Sequence, residues 1–199
     1  MPLIATRASA AYGAGFGKGA TGSAFEPIGS FDSIATVTVP SGGVSSVTFS
    51  AIPTDYKHLQ IRMLSRTTRV DLLDYVYLRF NNDTSANYSR RFISPGSGGT
   101  VQSYGETGVT GGLNIYSAGA NQQAGVFAVG VFDIQDYNSS TKLKNARSYI
   151  GLHGNTNGGN ISPNDILWSS NLPIEAITII PISGNSWVEH SNFSLYGVR

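Results

Sequence analysis

The 199-residue chain contains no cysteine and few charged residues. Without cysteine it can form no disulfide, thiolate nucleophile or cysteine-ligated metal site, and the redox compartment is left open. Charged residues make up 13% of the chain, against roughly 25% in typical soluble domains. Because much of the surface must then be neutral, the composition favours a protein whose exterior is partly covered by other subunits.

The chain also lacks an excess of positive charge and long hydrophobic runs. A net charge of +1 gives no basic field for phosphate backbones, so we expect no nucleic-acid binding. No run of about 18 apolar residues occurs, so we expect no membrane insertion. Residues 1–7 lack the apolar core of a signal peptide, and we therefore expect synthesis in the cytoplasm.

Sequence signatures of catalysis are missing too. The glycine-rich segment 13–17 follows no strand and is not closed by the Gly-Lys-Ser/Thr of a phosphate loop. The nucleophile elbow Gly-x-Ser-x-Gly does not occur. His58, His153 and His190 lie far apart and in no metal-binding motif. The sequence therefore predicts no enzyme, no catalytic residue, no metal ligand and no cofactor.

Acidic residues cluster at three places, namely Asp71 with Asp74, residues 81–83, and Asp133 with Asp136. Their oxygens could bind a hard cation such as Ca²⁺. Turns select Asn and Asp for their own backbone geometry, which explains the same clusters without a ligand. Paired carboxylates for glycoside hydrolysis are a further alternative, although no cleft supports it.

From Phe31 onward the chain consists of short alternating apolar stretches separated by Gly, Pro and Asn turns. Around a turn at Pro53, alternate residues of 47–51 and of 59–63 each point to one face, so we expect two strands that share a core. The predicted strands cover residues 31–39, 45–52, 58–67, 74–81, 88–94, 112–117, 125–135, 146–153, 176–182 and 192–198. With no helix expected, the pattern predicts an all-β fold, an antiparallel β-sandwich of jelly-roll type over residues 31–199.

Two segments, 126–132 and 177–182, are almost continuously apolar, which predicts strands covered on both faces. Burial of each Phe or Ile side chain there would stabilise the fold by roughly 1.5–3 kcal/mol. The side chains predicted to be buried are Phe127, Val129, Ile177 and Ile179.

Residues 1–30 are rich in glycine and alanine and cannot bury enough apolar surface to order themselves. We expect an extended N-terminal arm that docks on a partner through main-chain hydrogen bonds and apolar anchors. The anchors are Leu3, Ile4, Tyr12, Phe16 and Phe25. A free chain end is the alternative.

A second candidate site consists of Arg62, Arg66, Tyr75, Tyr77 and Arg79. These residues alternate with core positions on two predicted strands, and they would share one outward face if the strands were neighbours. Arg and Tyr are enriched at interface hot spots, which favours a subunit or ligand contact. An ordinary solvated face is the alternative.

Four segments resemble a β domain that is common among virion proteins of tailed phages, especially marine and cyanobacterial ones. These segments are 31–39, 47–62, 79–88 and 193–198, and residues 1–7 resemble the start of phage fibre-like proteins. The resemblance implies a virion structural protein, a tail or head fibre subunit anchored by its arm and displaying a β domain for host attachment. A capsid decoration (cement) protein that stabilises the head is the alternative, and a carbohydrate-active enzyme is a distant one.

The resemblance also implies assembly and location. We expect a homotrimer on the virion exterior that contacts other virion proteins through the arm, with a host-surface polysaccharide as a candidate ligand. It transfers no catalytic motif, so no site residue follows from it.

Overall fold

The computed structural model describes residues 3–5, 30–95, 100–154 and 158–199. The strands are β1 Leu3–Ala5, β2 Phe31–Thr38, β3 Val47–Phe49, β4 His58–Ser65, β5 Leu73–Phe80, β6 Tyr88–Pro95, β7 Val101–Val109, β8 Gly112–Ala118, β9 Ala128–Gln135, β10 Lys144–Gly154, β11 Gly158–Trp168, β12 Ile177–Pro181 and β13 Asn192–Val198. A 3-10 turn, Ile182–Gly184, follows β12, and the described residues contain no α-helix.

The strands form two packed sheets. The smaller sheet has the order β1-β3-β12-β5-β8 and the larger one the order β2-β13-β4-β9-β10-β11-β6-β7. The chain repeatedly crosses from one sheet to the other, and the described ladders are antiparallel except for the parallel pair β1–β3. The predicted all-β, antiparallel β-sandwich of jelly-roll type is thereby confirmed.

The core lies between the sheets and includes both strands around the Pro53 turn. The side chains of these strands that share it are Val47, Phe49, Leu59, Ile61 and Met63. The predicted common core is therefore confirmed, but β3 ends earlier than expected. Ala51 lies beyond it, exposed and with a φ of 53°.

The Pro53 turn is fixed by contacts from a distant segment. The buried Tyr137 side chain donates its hydroxyl proton to the Pro53 carbonyl, and Asn138 Nδ2 donates to the Thr54 carbonyl at 3.0 Å. Burial raises the pKa of Tyr137 to about 12. The loop after β9 thus holds the turn between β3 and β4.

Of the two apolar segments, only the second is covered on both faces. In β12, Ile177 and Ile179 are fully buried and Thr178 is 7% exposed, as expected. In β9, however, Val129 is 56% exposed, and Phe127 just before it is half-buried. The predicted burial of Val129 is wrong because β9 lies in the larger sheet, whose outer face no other part of the described chain covers.

Strands β1, β7 and β11 were not expected from the sequence. Residues of β7 are exposed almost throughout, as an edge strand allows, so no alternation marks it. In β11, Pro163 lacks the N–H that a central strand usually needs. The Ser162 hydroxyl instead donates to the Ile93 carbonyl of β6 at 2.7 Å, which completes the pairing beside the proline.

The first strand changes the expected division of the chain. The backbone of Leu3–Ala5 pairs with Val47–Phe49 of the same chain, at the edge of the smaller sheet. We expected Leu3 and Ile4 to dock on a partner, so the boundary between an arm, 1–30, and a domain, 31–199, does not hold for these three residues. Tyr12, Phe16 and Phe25 lie outside the described residues, and their anchoring role stays a prediction.

Candidate interaction face

The five Arg and Tyr residues of the second candidate site do not share a face. Strand β4, which carries Arg62, belongs to the larger sheet, whereas β5, which carries Tyr75, Tyr77 and Arg79, belongs to the smaller one. The expected common surface is therefore wrong, because β4 and β5 are consecutive in the chain but lie in different sheets and are not neighbours.

Arg66 has a structural role. Its Nη1 donates to the carbonyls of Gln123 at 2.8 Å and Val126 at 2.9 Å, and its Nη2 donates to those of Ala120 at 3.1 Å and Gln122 at 2.8 Å. A guanidinium presents several donors in a fixed plane, which suits such a cluster of carbonyls. Arg66 therefore holds the loop before β9.

The side chains on the outer face of β5 pair mainly with their own neighbours. The Tyr75 ring lies 5.2 Å from the ring of Tyr116 and 5.6 Å from the guanidinium of Arg69. The Arg79 guanidinium lies 5.8 Å from the Tyr77 ring. These cation–π contacts order a half-buried row, and its contact with a partner stays a prediction.

Arg62 borders a different surface, the outer face of the larger sheet. Its guanidinium lies 4.8 Å from the ring of Tyr196 and 5.5 Å from the ring of Phe31, and its Nε donates to Gln60 Oε1 at 3.0 Å. Arg62 is thereby fixed at one side of this face, which we call the interaction face.

A row of charged side chains crosses the interaction face. Asp133 of β9, Arg147 of β10, Asp165 of β11 and Arg91 of β6 are successive cross-strand partners. Their signs alternate, and we call these four residues the charged row. Arg147 Nε lies 3.6 Å from Asp133 Oδ2, and Gln60 of β4 donates to Asp133 Oδ1 at 2.9 Å.

One member of the row, Asp165, is exposed to solvent, but the surrounding side chains partly desolvate its carboxyl group. Burial raises the pKa of the Asp165 carboxyl, while the neighbouring Arg91 acts to lower it. A carboxylate in this position gains from an additional cation placed opposite it, because such a charge offsets the loss of solvation.

Beside the charged row the same face is apolar. We define the apolar patch as Leu64, Ile93, Val129, Tyr149 and Ile161, whose exposed fractions lie between 41% and 60%. They project from β4, β6, β9, β10 and β11, on strands whose alternate side chains fill the core. Contiguous exposed apolar side chains of this kind mark surfaces that contact another molecule.

A groove of about 740 Å³ overlaps the apolar patch, and its lining includes Gly151 together with Ile93, Val129 and Ile161 of the patch. Gly151 pairs with Val129 on one side and Ile161 on the other. A Cβ atom placed on Gly151 would have no other heavy atom within 4 Å. Gly151 therefore leaves a depression between two exposed aliphatic side chains.

The acidic clusters mostly stabilise local structure. Asp74 is fully buried and accepts from the backbone N–H of Tyr75 at 2.8 Å, and burial raises the pKa of its carboxyl. Asp136 forms an ion pair with Lys142 at 2.6 Å. Within the described ranges, no group of three or more His, Asp or Glu side chains could hold a metal ion.

A buried cation lies close to the face without belonging to it. The Lys144 side chain is fully buried, and its Nζ donates to the carbonyls of Ser139 at 2.5 Å and Lys142 at 2.8 Å. Burial lowers the pKa of Lys144, against the opposing effect of Asp136. Lys144 thus closes the loop between β9 and β10.

Sequence reasoning missed most of the interaction face. Asp133 was noted only as part of an acidic cluster, and Arg147, Tyr149 and Ile161 were not identified. The alternation of outward residues along 145–153 was the available signal. This alternation indicates an interaction face only when the strands on either side of β10 are known, because the face is formed by side chains of several strands.

Comparisons with known proteins give little further information. No family model matches the chain, and no curated protein matches it. Among solved structures, the crystal structure of the galectin LEC-6 from Caenorhabditis elegans is similar, with 13% identity and a TM-score of 0.35. The match covers 80% of this chain and 94% of the galectin. A similarity this low carries no functional information.

The structure also bears on membrane insertion through helices. No helix among the described residues is long and apolar enough to span a membrane.

Proposed function

We propose that this chain is a structural protein on the exterior of a tailed-phage virion, a fibre-like subunit that displays its β-sandwich for attachment to the host surface. The supporting sequence observation is the resemblance of four segments to virion β domains. The structural observation that carries the proposal is the interaction face, where exposed apolar side chains adjoin the charged row.

The interaction face has the composition of a protein contact. Interface centres combine aliphatic and aromatic side chains with arginine, and a polar rim surrounds them. Tyr149, 60% exposed, is the next outward residue after Arg147 on β10, and Ile161, equally exposed, lies two outward positions from Asp165 on β11. Burial of such side chains against a neighbouring subunit would remove apolar surface from water, which drives association. An assembled particle supplies such neighbours.

Further expectations from the resemblance remain part of the proposal. Capsid decoration is the alternative location, since a decoration protein needs the same kind of lateral contacts as a fibre subunit. A homotrimer, contacts with other virion proteins and a host-surface polysaccharide as ligand complete the proposal.

The experiment is to localise the protein in purified particles of the phage that encodes it. Mass spectrometry should find the chain in gradient-purified virions, and immunogold labelling should place it on the tail or at the tip of a head fibre. Labelling over the whole capsid surface would favour the decoration role instead. Absence of the chain from purified virions would refute both.

A matched pair of variants tests whether the interaction face is used in the particle. Ile161→Ser removes an exposed side chain from the apolar patch, whereas Leu172→Ser removes one of equal exposure, 60%, from the loop between β11 and β12. We expect Ile161→Ser alone to lower the occupancy of the protein in virions. Equal occupancy of both variants would contradict this use of the face.

A further inference from the structure

We propose that the interaction face binds a second copy of this chain across a two-fold axis that runs along the strands, midway between β10 and β11. The inference deepens the proposed function and rests on its assignment of this face as a contact surface. Two independent features of the face define the same axis.

The first feature is the order of charges in the charged row. A two-fold axis between β10 and β11 exchanges β10 with β11 and β9 with β6. Arg147 then faces the partner's Asp165, and Asp133 faces the partner's Arg91. Opposite signs meet at all four positions, because the row reads minus, plus, minus, plus. With strands about 4.8 Å apart, these contacts extend over roughly 14 Å.

The second feature is the fit of side chains along the axis. Gly151 and Ile161 are cross-strand partners on β10 and β11, so the axis places the partner's Ile161 over Gly151 and repeats this contact symmetrically. The space above Gly151 is open, and Ile161 is 60% exposed. A protruding side chain and a depression therefore meet twice. In the next row, Tyr149 faces the partner's Pro163.

A second copy fits these features better than an unrelated partner. An isologous contact requires each surface to complement itself, and a row of charges that changes sign about its midpoint meets that requirement. The row carries no net charge, so a polyanion has no electrostatic reason to bind there. Rotation about this axis does not shift residues along the strand direction. Each apolar row of residues on one copy therefore faces the same apolar row on the partner.

The first experiment measures mass in solution by light scattering across a concentration series. The purified full-length chain should have the mass of two chains, or of six if the expected trimer also forms through another surface. Gly151→Val fills the depression in space that is free within the chain, so the fold should persist, as circular dichroism can verify. This variant and Ile161→Ser should each raise the dissociation constant of the dimer by about a hundredfold. The substitution is present in both copies, and each copy contributes a factor of about ten. Leu172→Ser should leave it unchanged.

The outcomes separate this inference from the proposed function. A mass of one or of three chains for the unchanged protein at micromolar concentration would overturn the two-fold contact, and so would equal effects of Ile161→Ser and Leu172→Ser. Neither result would remove the chain from virions, where mass spectrometry tests the proposed function separately.

The second experiment tests the charge order directly. A variant with all four charges reversed, Asp133→Arg, Arg147→Asp, Asp165→Arg and Arg91→Asp, should pair with itself as the original chain does. In a mixture of the two, like charges would oppose each other at all four positions. Mixed dimers, detected by native mass spectrometry, should fall at least ~tenfold below random pairing. Random mixing would overturn the proposed axis.

Discussion

The carboxylate of Asp83 connects the turn between β5 and β6 to β11 and offers a sharp test of the fold. Its Oδ2 accepts from Trp168 Nε1 at 2.8 Å and from Asn87 Nδ2 at 3.0 Å, and its Oδ1 accepts from the backbone N–H of Ser85 at 2.8 Å. Partial burial acts to raise the pKa of this carboxyl, but the hydrogen bonds from Trp168, Asn87 and Ser85 outweigh it. They lower the pKa from 3.8 to about 2.

The magnitude follows from this pKa. Each tenfold change in proton affinity corresponds to about 1.4 kcal/mol, so the difference is equivalent to about 2.5 kcal/mol. Solvent reaches Asp83, and we expect roughly half of this value in the free energy of unfolding. Because the folded pKa lies below the unfolded one, the stabilisation is fully present above about pH 4 and is lost as the pH falls through about 2.

Asp83→Asn keeps an acceptor oxygen and removes the titration. Urea unfolding, followed by tryptophan fluorescence between pH 7 and pH 2, should show this variant less stable by about 1 kcal/mol at pH 7. The difference from the original chain should vanish near pH 2. Asp55→Asn, which neutralises an exposed carboxylate in another turn, controls for net charge. A difference that stays constant over the whole range would refute the reasoning.

Three further changes test other contacts. Arg66→Met removes the hydrogen bonds that hold the loop of residues 119–127, so amide hydrogen exchange in this loop should accelerate at least tenfold while the rest of the chain stays protected. An equal change in exchange rate along the whole chain would contradict this. Gly197→Ala should lower the melting temperature by several degrees, since the new Cβ would lie 2.3 Å from Cγ of the Tyr56 ring, and an unchanged temperature would disprove this packing. Lys144→Met should cost roughly 2 kcal/mol in urea unfolding because two loop carbonyls lose their donor, and a neutral effect would exclude that role.

The fold could be predicted from the sequence where its signals are local. Alternation identified β4 and β13 to within two residues, and the Pro53 turn indicated the reversal between β3 and β4. The strands β7 and β11 escaped for physical reasons. An edge strand needs no buried alternation, and Pro163 looks like a strand breaker until the Ser162 hydroxyl is seen to supply the missing donor.

The interaction face could not be predicted in the same way, because it depends on which strands are neighbours. Arg91 and Asp165 are far apart in sequence and become cross-strand partners only when β6 pairs with β11. No local pattern contains that register. The wrong prediction for the Arg and Tyr site has the same cause. The outward residues of β4 and β5 alternate as expected, but the two strands lie in different sheets and their side chains therefore do not share a face.

The wrong prediction that Val129 is buried is itself informative. A strand of a sandwich whose outer face meets water usually alternates apolar with polar residues, and a continuous apolar run is the pattern of a strand covered on both sides. In β9 the outward positions 129 and 131 are both valine, yet Val129 is 56% exposed in the single chain. The sequence thus has the composition of a covered strand, while the described chain supplies the cover on one side alone. A second copy placed on the interaction face would supply the other, and it would also explain why a chain with 13% charged residues exposes so much apolar surface.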